Sequence, residues 1–498
     1  MDLQNEQATR RLAMDVALLL RPGDVVTLSG DLGAGKTTFA RALIRRLAGD
    51  EQIEVPSPTF TLVQSYALPA FPVIHADLYR VSEPSELVEL GFDEAAEDAV
   101  TLIEWPDRAA GRLPADRLDI AFTLSAAQGL NYRQARLTGF GAFVPRAERL
   151  VTIRRFLNES GFETAERQYL QGDASTRTYE RLVQNGRSAV LMDAPRRPDG
   201  PPVRGGRPYS AVAHLAEDMV KPFVAMARAL HERGFSAPEI YAADLAEGLL
   251  ILEDLGREGL VDAASAPIEE RYAAAVDVLV ALHRKPQPAV LRVAPRVEHR
   301  LPPYDLDALL IEAELMLDWY LPYRGAPLPP GTGSELVALW RHLLRRATEE
   351  PPNWVLRDYH SPNLLWLPER NGIARIGLLD FQDAVMGPSA YDVVSLLQDA
   401  RVTVPEAMEM TLLGRYVVGR QASVPEFDAT GFLELYALLG AQRATKILGI
   451  FARLDRRDGK PQYLRHMPRI WAYLCRSLSH PTLQPLKTWY DANVPPPP

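Results

Sequence analysis

An α/β domain followed by a two-lobed α+β domain is the fold class that this 498-residue sequence predicts. Three observations predict it: a glycine-rich loop set between a strand pattern and a helix pattern, strands alternating with helices up to about Phe143, and beyond that a short β-rich stretch followed by a long helical one. The length suits two to four domains, and 47% hydrophobic with 24% charged residues excludes a disordered chain. No apolar run approaches the roughly 18 residues of a membrane span. The start, MDLQNEQATRRL, lacks the basic-then-apolar order of a secretory leader. A lone Cys475 excludes a disulfide framework and a cysteine zinc site. A soluble, cytoplasmic protein without direct membrane contact is expected.

Gln4–Leu20 carries apolar residues at helical spacing and is ended by Arg21-Pro22-Gly23-Asp24. Val25–Leu28 reads as a strand and Thr38–Leu47 as a helix. Phe60–Tyr66 and Phe71–Tyr79 read as strands joined by a Pro-containing turn, Ala99–Trp105 as a buried strand, and Arg117–Leu124 and Tyr132–Phe140 as alternating strands. A helix after Pro145, RAERLVTIRRFLNES, opens the second domain. Tyr169–Arg181 and Ser188–Asp193 read as strands, Asp193–Tyr209 as a loop, Ala211–Glu232 as a helix, and Leu249–Leu255 as the end of a strand pair. From Ile268 helices dominate, interrupted by strand-like Leu364–Leu367 and Ile376–Asp380. The expected boundaries are 1–143, 148–490 and a Pro-rich tail, 491–498, without fixed structure.

Gly30-Asp-Leu-Gly33-Ala-Gly35-Lys36-Thr37 fits G-x-x-x-x-G-K-[ST] directly after a strand and before a helix, the context the motif requires. Gly30, Gly33 and Gly35 let backbone N–H groups curl around phosphates, with Thr38 in the helix that follows. Lys36 is placed for the β/γ-phosphates and the Thr37 hydroxyl for Mg2+. A P-loop NTPase domain using ATP and Mg2+ is therefore predicted. An acid ending a neighbouring strand should complete the site, and Asp77 and Glu104 are placed equally well. Residues 1–145 carry 13 Lys+Arg against 20 Asp+Glu, a net of −7, so this part is not expected to grip a nucleic-acid backbone by itself.

Gly30–Thr37, Ser57-Pro-Thr59-Phe60, His75-Ala-Asp77-Leu-Tyr-Arg80 and Ile103-Glu104-Trp105-Pro-Asp-Arg108, in that order, resemble the bacterial TsaE family. These are ATPases of the tRNA threonylcarbamoyladenosine system, and the resemblance spans nearly all of residues 1–143. It implies an ATPase supporting the threonylcarbamoyltransferase formed by TsaB and TsaD, with those partners contacting the tRNA. It also implies that Glu104 helps hold Mg2+ and that Asp77 and the Ser57–Thr59 loop stand near the γ-phosphate. Lys36 and Asp77 are then the catalytic candidates. Trp105 would lie beside the nucleotide; a core tryptophan is the alternative reading.

Leu356-Arg-Asp358-Tyr-His-Ser-Pro-Asn363 contains D-x-x-x-x-N, and Leu378-Leu-Asp380-Phe-Gln-Asp383 follows after a hairpin. In kinase chemistry the first Asp accepts the proton of the acceptor hydroxyl, while the Asn and the second Asp hold the Mg2+ that bridges ATP phosphates. Asp358, Asn363 and Asp380 stand in that order, predicting a two-lobed protein-kinase-like phosphotransferase. Upstream, Gly172-Asp-Ala-Ser175-Thr176 reads as a phosphate-covering turn or an ordinary β-turn. Leu250–Gly256 reads as the interlobe hinge, with main-chain groups around Glu253 and Leu255 for adenine. The strand position that usually carries the ATP-binding Lys holds Met192, so Arg177, Arg181 or Lys221 would have to supply the cation.

GDASTRTYERL, AVLMDAP, ILEDLG, LRDYHSPNLLWL, LLDFQDAVMGPSAYDVVSLLQDA and QRATKILGIFARL resemble the aminoglycoside-phosphotransferase superfamily from about residue 148 to 480. Within it they are similar to the anomeric N-acetylmuramate/N-acetylglucosamine kinases, whose AVLMDAP pattern shares the missing Lys. The resemblance implies ATP-dependent phosphorylation of the anomeric hydroxyl of an amino sugar in cell-wall recycling. An aminoglycoside or choline-type phosphotransferase, and a regulatory fusion that binds nucleotide without catalysis, are the alternatives. Tyr304–Asp307 and Glu312–Tyr320 offer acids and aromatics to a sugar, or form an amphipathic core helix. His360 is a structural loop histidine or a contact to the site.

Overall fold

The computed structural model describes residues 1–81, 98–109, 112–125, 129, 131–170, 177–196, 200–216 and 218–498. Their contacts fall into two compact units, Met1–Asp193 and Ala194–Pro498.

The first unit opens with β1 (Asp2–Leu3), α1 (Glu6–Ala17), β2 (Val25–Ser29) and α2 (Lys36–Ala48), followed by β3 (Val63–Tyr66), β4 (Val73–Asp77), β5 (Val100–Glu104), β6 (Arg117–Leu124) and β7 (Arg133–Phe140). These strands form one sheet in the order β1-β7-β6-β2-β5-β4-β3. Its centre, β6-β2-β5-β4, is parallel, and β3, β7 and β1 join antiparallel at the two sides. Central parallel strands are covered on both faces, and Val25–Leu28 of β2 is buried along its length. The Asn5 side chain caps α1 by accepting the Ala8 N–H. Left-handed Gly35 and Gly49 bracket α2.

One 3-10 turn leads from β7 into α3 (Val144–Glu159), and Phe143, Ala147 and Leu150 pack into the core of the seven-stranded sheet. The unit ends in an antiparallel meander of β8 (Glu166–Leu170), β9 (Thr178–Gln184) and β10 (Arg187–Asp193). The stretch read as one strand, Tyr169–Arg181, is the end of β8 and the start of β9. The candidate turn residues Gly172, Ser175 and Thr176 lie outside the described residues.

In the second unit a small hairpin, β11 (Pro202–Arg204) and β12 (Arg207–Pro208), lies within the stretch read as loop. The helix read over Ala211–Glu232 is two helices, α4 (Tyr209–Val212) and α5 (Val220–His231). His214 adopts φ 52°, which no helix accommodates, and the Asp218 carboxylate accepts the Val220 and Lys221 N–H groups at the second start. Next come the hairpin β13 (Ile240–Asp244) and β14 (Leu249–Glu253), then α6 (Glu269–Leu282). A further hairpin, β15 (Val290–Ala294) and β16 (Val297–Arg300), interrupts the stretch read as helical. Helices α7 (Leu306–Leu315) and α8 (Thr332–Glu349) precede β17 (Asn353–Val355), β18 (Leu364–Trp366), β19 (Ile376–Leu378) and β20 (Val385–Gly387). The β18–β19 pair nests between the paired β17 and β20 in the chain. The unit closes with α9 (Ala390–Leu397), α10 (Glu406–Ser423), α11 (Ala429–Arg456), α12 (Met467–Leu478) and α13 (Gln484–Asn493).

The expectation of a loose tail over 491–498 is corrected. Helix α13 runs to Asn493, Val494 is buried, and the Tyr320 hydroxyl donates to the Pro495 carbonyl at 2.9 Å. Among the described residues no helix is long and apolar enough to cross a membrane.

Helix α11 passes α7 so closely that a Cβ on Gly449 would lie 2.5 Å from Leu315 Cβ and 2.6 Å from its carbonyl oxygen. Gly449→Ala should therefore destabilise this unit by about 1–3 kcal/mol, although alanine is the better helix former. A fall in the denaturation midpoint is the expected reading, and an unchanged or raised midpoint would show that the two helices can part.

Candidate functional sites

The phosphate loop leaves β2 at a position only glycine fits. Gly30 has φ 130°, and a Cβ there would meet the Phe122 carbonyl oxygen at 2.3 Å. Gly33 and Gly35 also take positive φ, 79° and 110°. Lys36, buried at the start of α2, donates from Nζ to the carbonyls of Gly30 at 2.7 Å and Asp31 at 3.0 Å. Burial lowers its pKa, against the opposing pull of Glu104, Asp77 and Asp31. Its ammonium stands 3.7 Å from the centre of the Trp105 ring, which φ 62° at the end of β5 turns towards the loop.

Strand order separates the two acids that the sequence leaves even. β5 lies next to β2, and the Glu104 Oε2 accepts the Thr37 hydroxyl at 3.1 Å while its Oε1 is 3.0 Å from His75 Nε2. Asp77 is one strand further out, opposite Glu104. Its Oδ2 accepts the Thr59 hydroxyl at 2.7 Å and the Ser57 hydroxyl at 3.4 Å, and its Oδ1 accepts the Tyr79 N–H at 3.0 Å. Gly33, Gly35, Lys36, Thr37, Thr38, Thr59, Asp77, Glu104 and Trp105 all line one cleft of about 270 Å³. Arg133 lines it too, donating to the Ala34 carbonyl at 3.1 Å. Sequence reasoning missed Arg133, whose only signal is a basic residue at the start of β7.

The second site is built on the loop after β17. Asp392 on α9 accepts the N–H groups of Leu356 at 2.6 Å and Arg357 at 2.9 Å, and Asp399 accepts that of Ser361 at 2.7 Å. Between these two buried carboxylates, Arg357 takes φ 66° and buries its guanidinium against Glu312 and the Ala213 carbonyl. Half-buried Asp358 follows. The Asn363 amide nitrogen donates to the Asp358 carbonyl at 3.0 Å and to Asp380 Oδ2 at 3.3 Å, and the Leu379 N–H donates to the Asn363 carbonyl at 2.9 Å. Gln382 then bonds Asp380 Oδ1 at 3.0 Å and Asp383 Oδ2 at 3.3 Å. Burial pushes the Asp383 carboxyl up, while its Oδ1 accepts the Ala216 N–H at 2.7 Å. Asp358, Asn363 and Asp380 are thus brought together by direct bonds. Asp392, Asp399 and Gln382, which hold them, were not singled out from the sequence.

Other candidates stand apart from this cluster. Glu253 pairs with Arg370 at 2.5 Å and its N–H donates to the Glu239 carbonyl at 2.8 Å; Leu255 packs beside Gly377 of β19. Met192 is fully buried in β10 opposite Tyr179, Arg181 lies on β9 opposite Val190, and Lys221 sits on α5. Burial lowers the His360 pKa, and its ring is 3.9 Å from Asp399, the setting of a structural loop histidine. Tyr304 and Glu312 belong to the core: the Tyr304 hydroxyl donates to Glu312 at 2.6 Å, and Lys446 and Gln442 donate to the same carboxylate at 2.7 and 3.1 Å. For Mg2+, the Thr37 hydroxyl with the Glu104 carboxylate, and the Asn363 amide oxygen with the Asp380 carboxylate, are the all-oxygen donor sets this ion takes.

A P-loop nucleotide site and a kinase-type phosphotransfer site are what these two geometries define. A family model described as "Threonylcarbamoyl adenosine biosynthesis protein TsaE" matches residues 3–134, and one described as "Phosphotransferase enzyme family" matches residues 166–430. A Caulobacter vibrioides protein named N-acetylmuramate/N-acetylglucosamine kinase is 42% identical over 359 residues, 70% of this chain and 98% of its own. A Pseudomonas aeruginosa protein of the same name is 38% identical over 312 residues, 61% of this chain and 80% of its own. A Rickettsia bellii protein named tRNA threonylcarbamoyladenosine biosynthesis protein TsaE is 41% identical over 122 residues, 24% of this chain and 84% of its own. The chain belongs to the TsaE family in its N-terminal part and to the phosphotransferase enzyme family in the rest.

Burial alone would raise the Glu312 carboxyl, but Lys446 and Arg357 hold it down at about 2. A carboxyl lowered on folding stabilises in full above its unfolded value near 4.5 and loses that contribution as pH falls towards 2. Glu312→Gln leaves both cations buried without a carboxylate, so a loss of about 3–5 kcal/mol is expected at pH 7. Denaturation midpoints of the two proteins should converge as the pH is lowered from 4.5; a constant gap would contradict the ionised network.

Proposed function

We propose that the chain carries out two ATP reactions. One is nucleotide hydrolysis at the P-loop in support of tRNA threonylcarbamoyladenosine formation, with TsaB and TsaD as partners that hold the tRNA. The other transfers the γ-phosphoryl group of ATP to the anomeric hydroxyl of N-acetylmuramate or N-acetylglucosamine, in peptidoglycan recycling in the cytoplasm. The observation that carries the second reading is the bonded cluster of Asp358, Asn363 and Asp380 in a chain similar to proteins named for that kinase activity. The proposed modules are 1–143 and 148–490.

At the kinase site Asp358 orients the anomeric hydroxyl and takes its proton as the sugar oxygen bonds to the γ-phosphorus. The bond from that phosphorus to the β-phosphate oxygen breaks, and ADP leaves. Asn363 and Asp380 would hold Mg2+, whose charge neutralises the phosphates when bound. Main chain around Glu253 and Leu255 would take adenine, and Gly172, Ser175 and Thr176 the phosphates. In the P-loop, Gly30, Gly33 and Gly35 supply N–H groups, Lys36 exchanges its two carbonyl partners for phosphate oxygens, and Thr37 with Glu104 would hold Mg2+. Asp77, held by Thr59, orients water for attack; Trp105 lines the nucleotide.

Asp358→Asn should slow sugar phosphorylation by about 10²–10⁴-fold with MgATP binding largely intact, whereas Asp380→Asn should weaken both. The product should show a phosphorus-coupled anomeric proton by NMR. Phosphate at the 6-hydroxyl, or turnover of aminoglycosides alone, would defeat the sugar assignment, and equal loss of ATP binding in both variants would defeat the roles. In the full-length chain Lys36→Ala should abolish P-loop hydrolysis while sugar phosphorylation continues; joint loss in a folded protein would mean the sites are not separate.

A further inference from the structure

Residues 166–193 belong by sequence to the matched phosphotransferase region and by packing to the unit of the P-loop domain. A buried charge network ties them to that unit. Asp15 on α1 accepts from Arg154 Nε on α3 at 2.9 Å and stands 3.3 Å from Arg167 Nη1 on β8. Arg167 in turn binds both oxygens of Glu180 on β9, at 2.5 and 2.9 Å. Two carboxylates and two guanidiniums make a neutral set, and the Asp15 and Arg167 side chains are only 3% and 2% exposed. Removing one member would leave a buried charge unpaired.

Other contacts point the same way. Helix α2 begins at Lys36 and, near its far end, Arg46 Nη2 donates to the Arg167 carbonyl at 3.2 Å. On α3, Arg146 is bidentate to Asp24 before β2, at 2.8 and 2.6 Å, and Arg149 Nε reaches Asp193 at the end of β10 at 3.1 Å. One helix is therefore tied by charge to both the P-loop sheet and the meander.

We propose that the P-loop domain has a second function, as a built-in docking partner of the phosphotransferase: α1 and α2 present Asp15 and Arg46 to seat β8 and β9. The docking stands on the contacts alone, while its effect on sugar phosphorylation rests on the kinase reading above.

Hydrogen–deuterium exchange on the full-length chain, beside sugar-kinase assays, tests it. In Asp15→Asn, peptides over 166–170 and 178–184 should exchange about tenfold faster or more, with 25–29 and 100–104 unchanged. The KM for ATP in sugar phosphorylation should rise several-fold. Unchanged exchange over 166–184 in the folded variant would overturn the docking. Should Asp15→Asn open the whole unit, Arg46→Ala, which keeps all four charges, decides: faster exchange confined to β8 supports the proposal and none overturns it. Faster exchange with an unchanged KM would overturn the functional link. Faster exchange in a chain that phosphorylates no sugar even as wild type would support docking and count against the kinase reading.

Discussion

The loop that carries Asp358 rests on one buried cation. Arg357 cannot shed its charge, so its burial demands a carboxylate at the same depth, and Glu312 of α7 supplies it. Lys446 of α11 binds that same carboxylate, so two helices and the loop are referenced to one group. Arg357 can then keep a left-handed backbone because its N–H is taken by Asp392 and its carbonyl by the Ser395 hydroxyl at 3.1 Å. Burial pushes the Asp392 carboxyl up to about 7 although two backbone N–H groups favour its charge. The backbone conformation leading into Asp358 is thus fixed by groups outside the loop.

A comparable economy governs the P-loop. Glu104 serves two neighbours at once, accepting from Thr37 with one oxygen and facing His75 with the other, which sets the carboxylate plane against the start of α2. Lys36 is satisfied by two carbonyls of its own loop, so its buried ammonium is not left bare. The Trp105 ring face keeps the cation directed across the cleft.

What the sequence made legible follows from how local each signal is. Gly30–Thr37, Asp358, Asn363 and Asp380 lie in short stretches whose spacing is itself the motif, so they can be read as candidates from the sequence. The choice between Asp77 and Glu104 needs strand order, which no local pattern carries; β5 beside β2 decides which acid meets Thr37. Glu312 and Asp392 act on Arg357 from 45 and 35 residues away and look, in the sequence, like acids of ordinary amphipathic helices. The helix break at His214 arises from backbone geometry that the apolar periodicity of Ala211–Glu232 conceals.

The boundary between the two families, read from the sequence between Phe143 and Glu148, carries no linker composition. A flexible connection would show Gly, Ser or Pro over several residues. Residues 141–159 instead run from a 3-10 turn straight into α3, with Ala147 and Leu150 given to the core of the P-loop sheet. The same helix spends Arg146 and Arg154 on the P-loop domain and Arg149 on the end of β10. A helix that satisfies partners on several sides shows no single apolar stripe, and periodicity then says little about what it joins. Because those partners are charged and largely withdrawn from water, the meander cannot shift against the seven-stranded sheet without stranding a buried ion. The two families therefore meet inside a shared piece of structure, not at a linker.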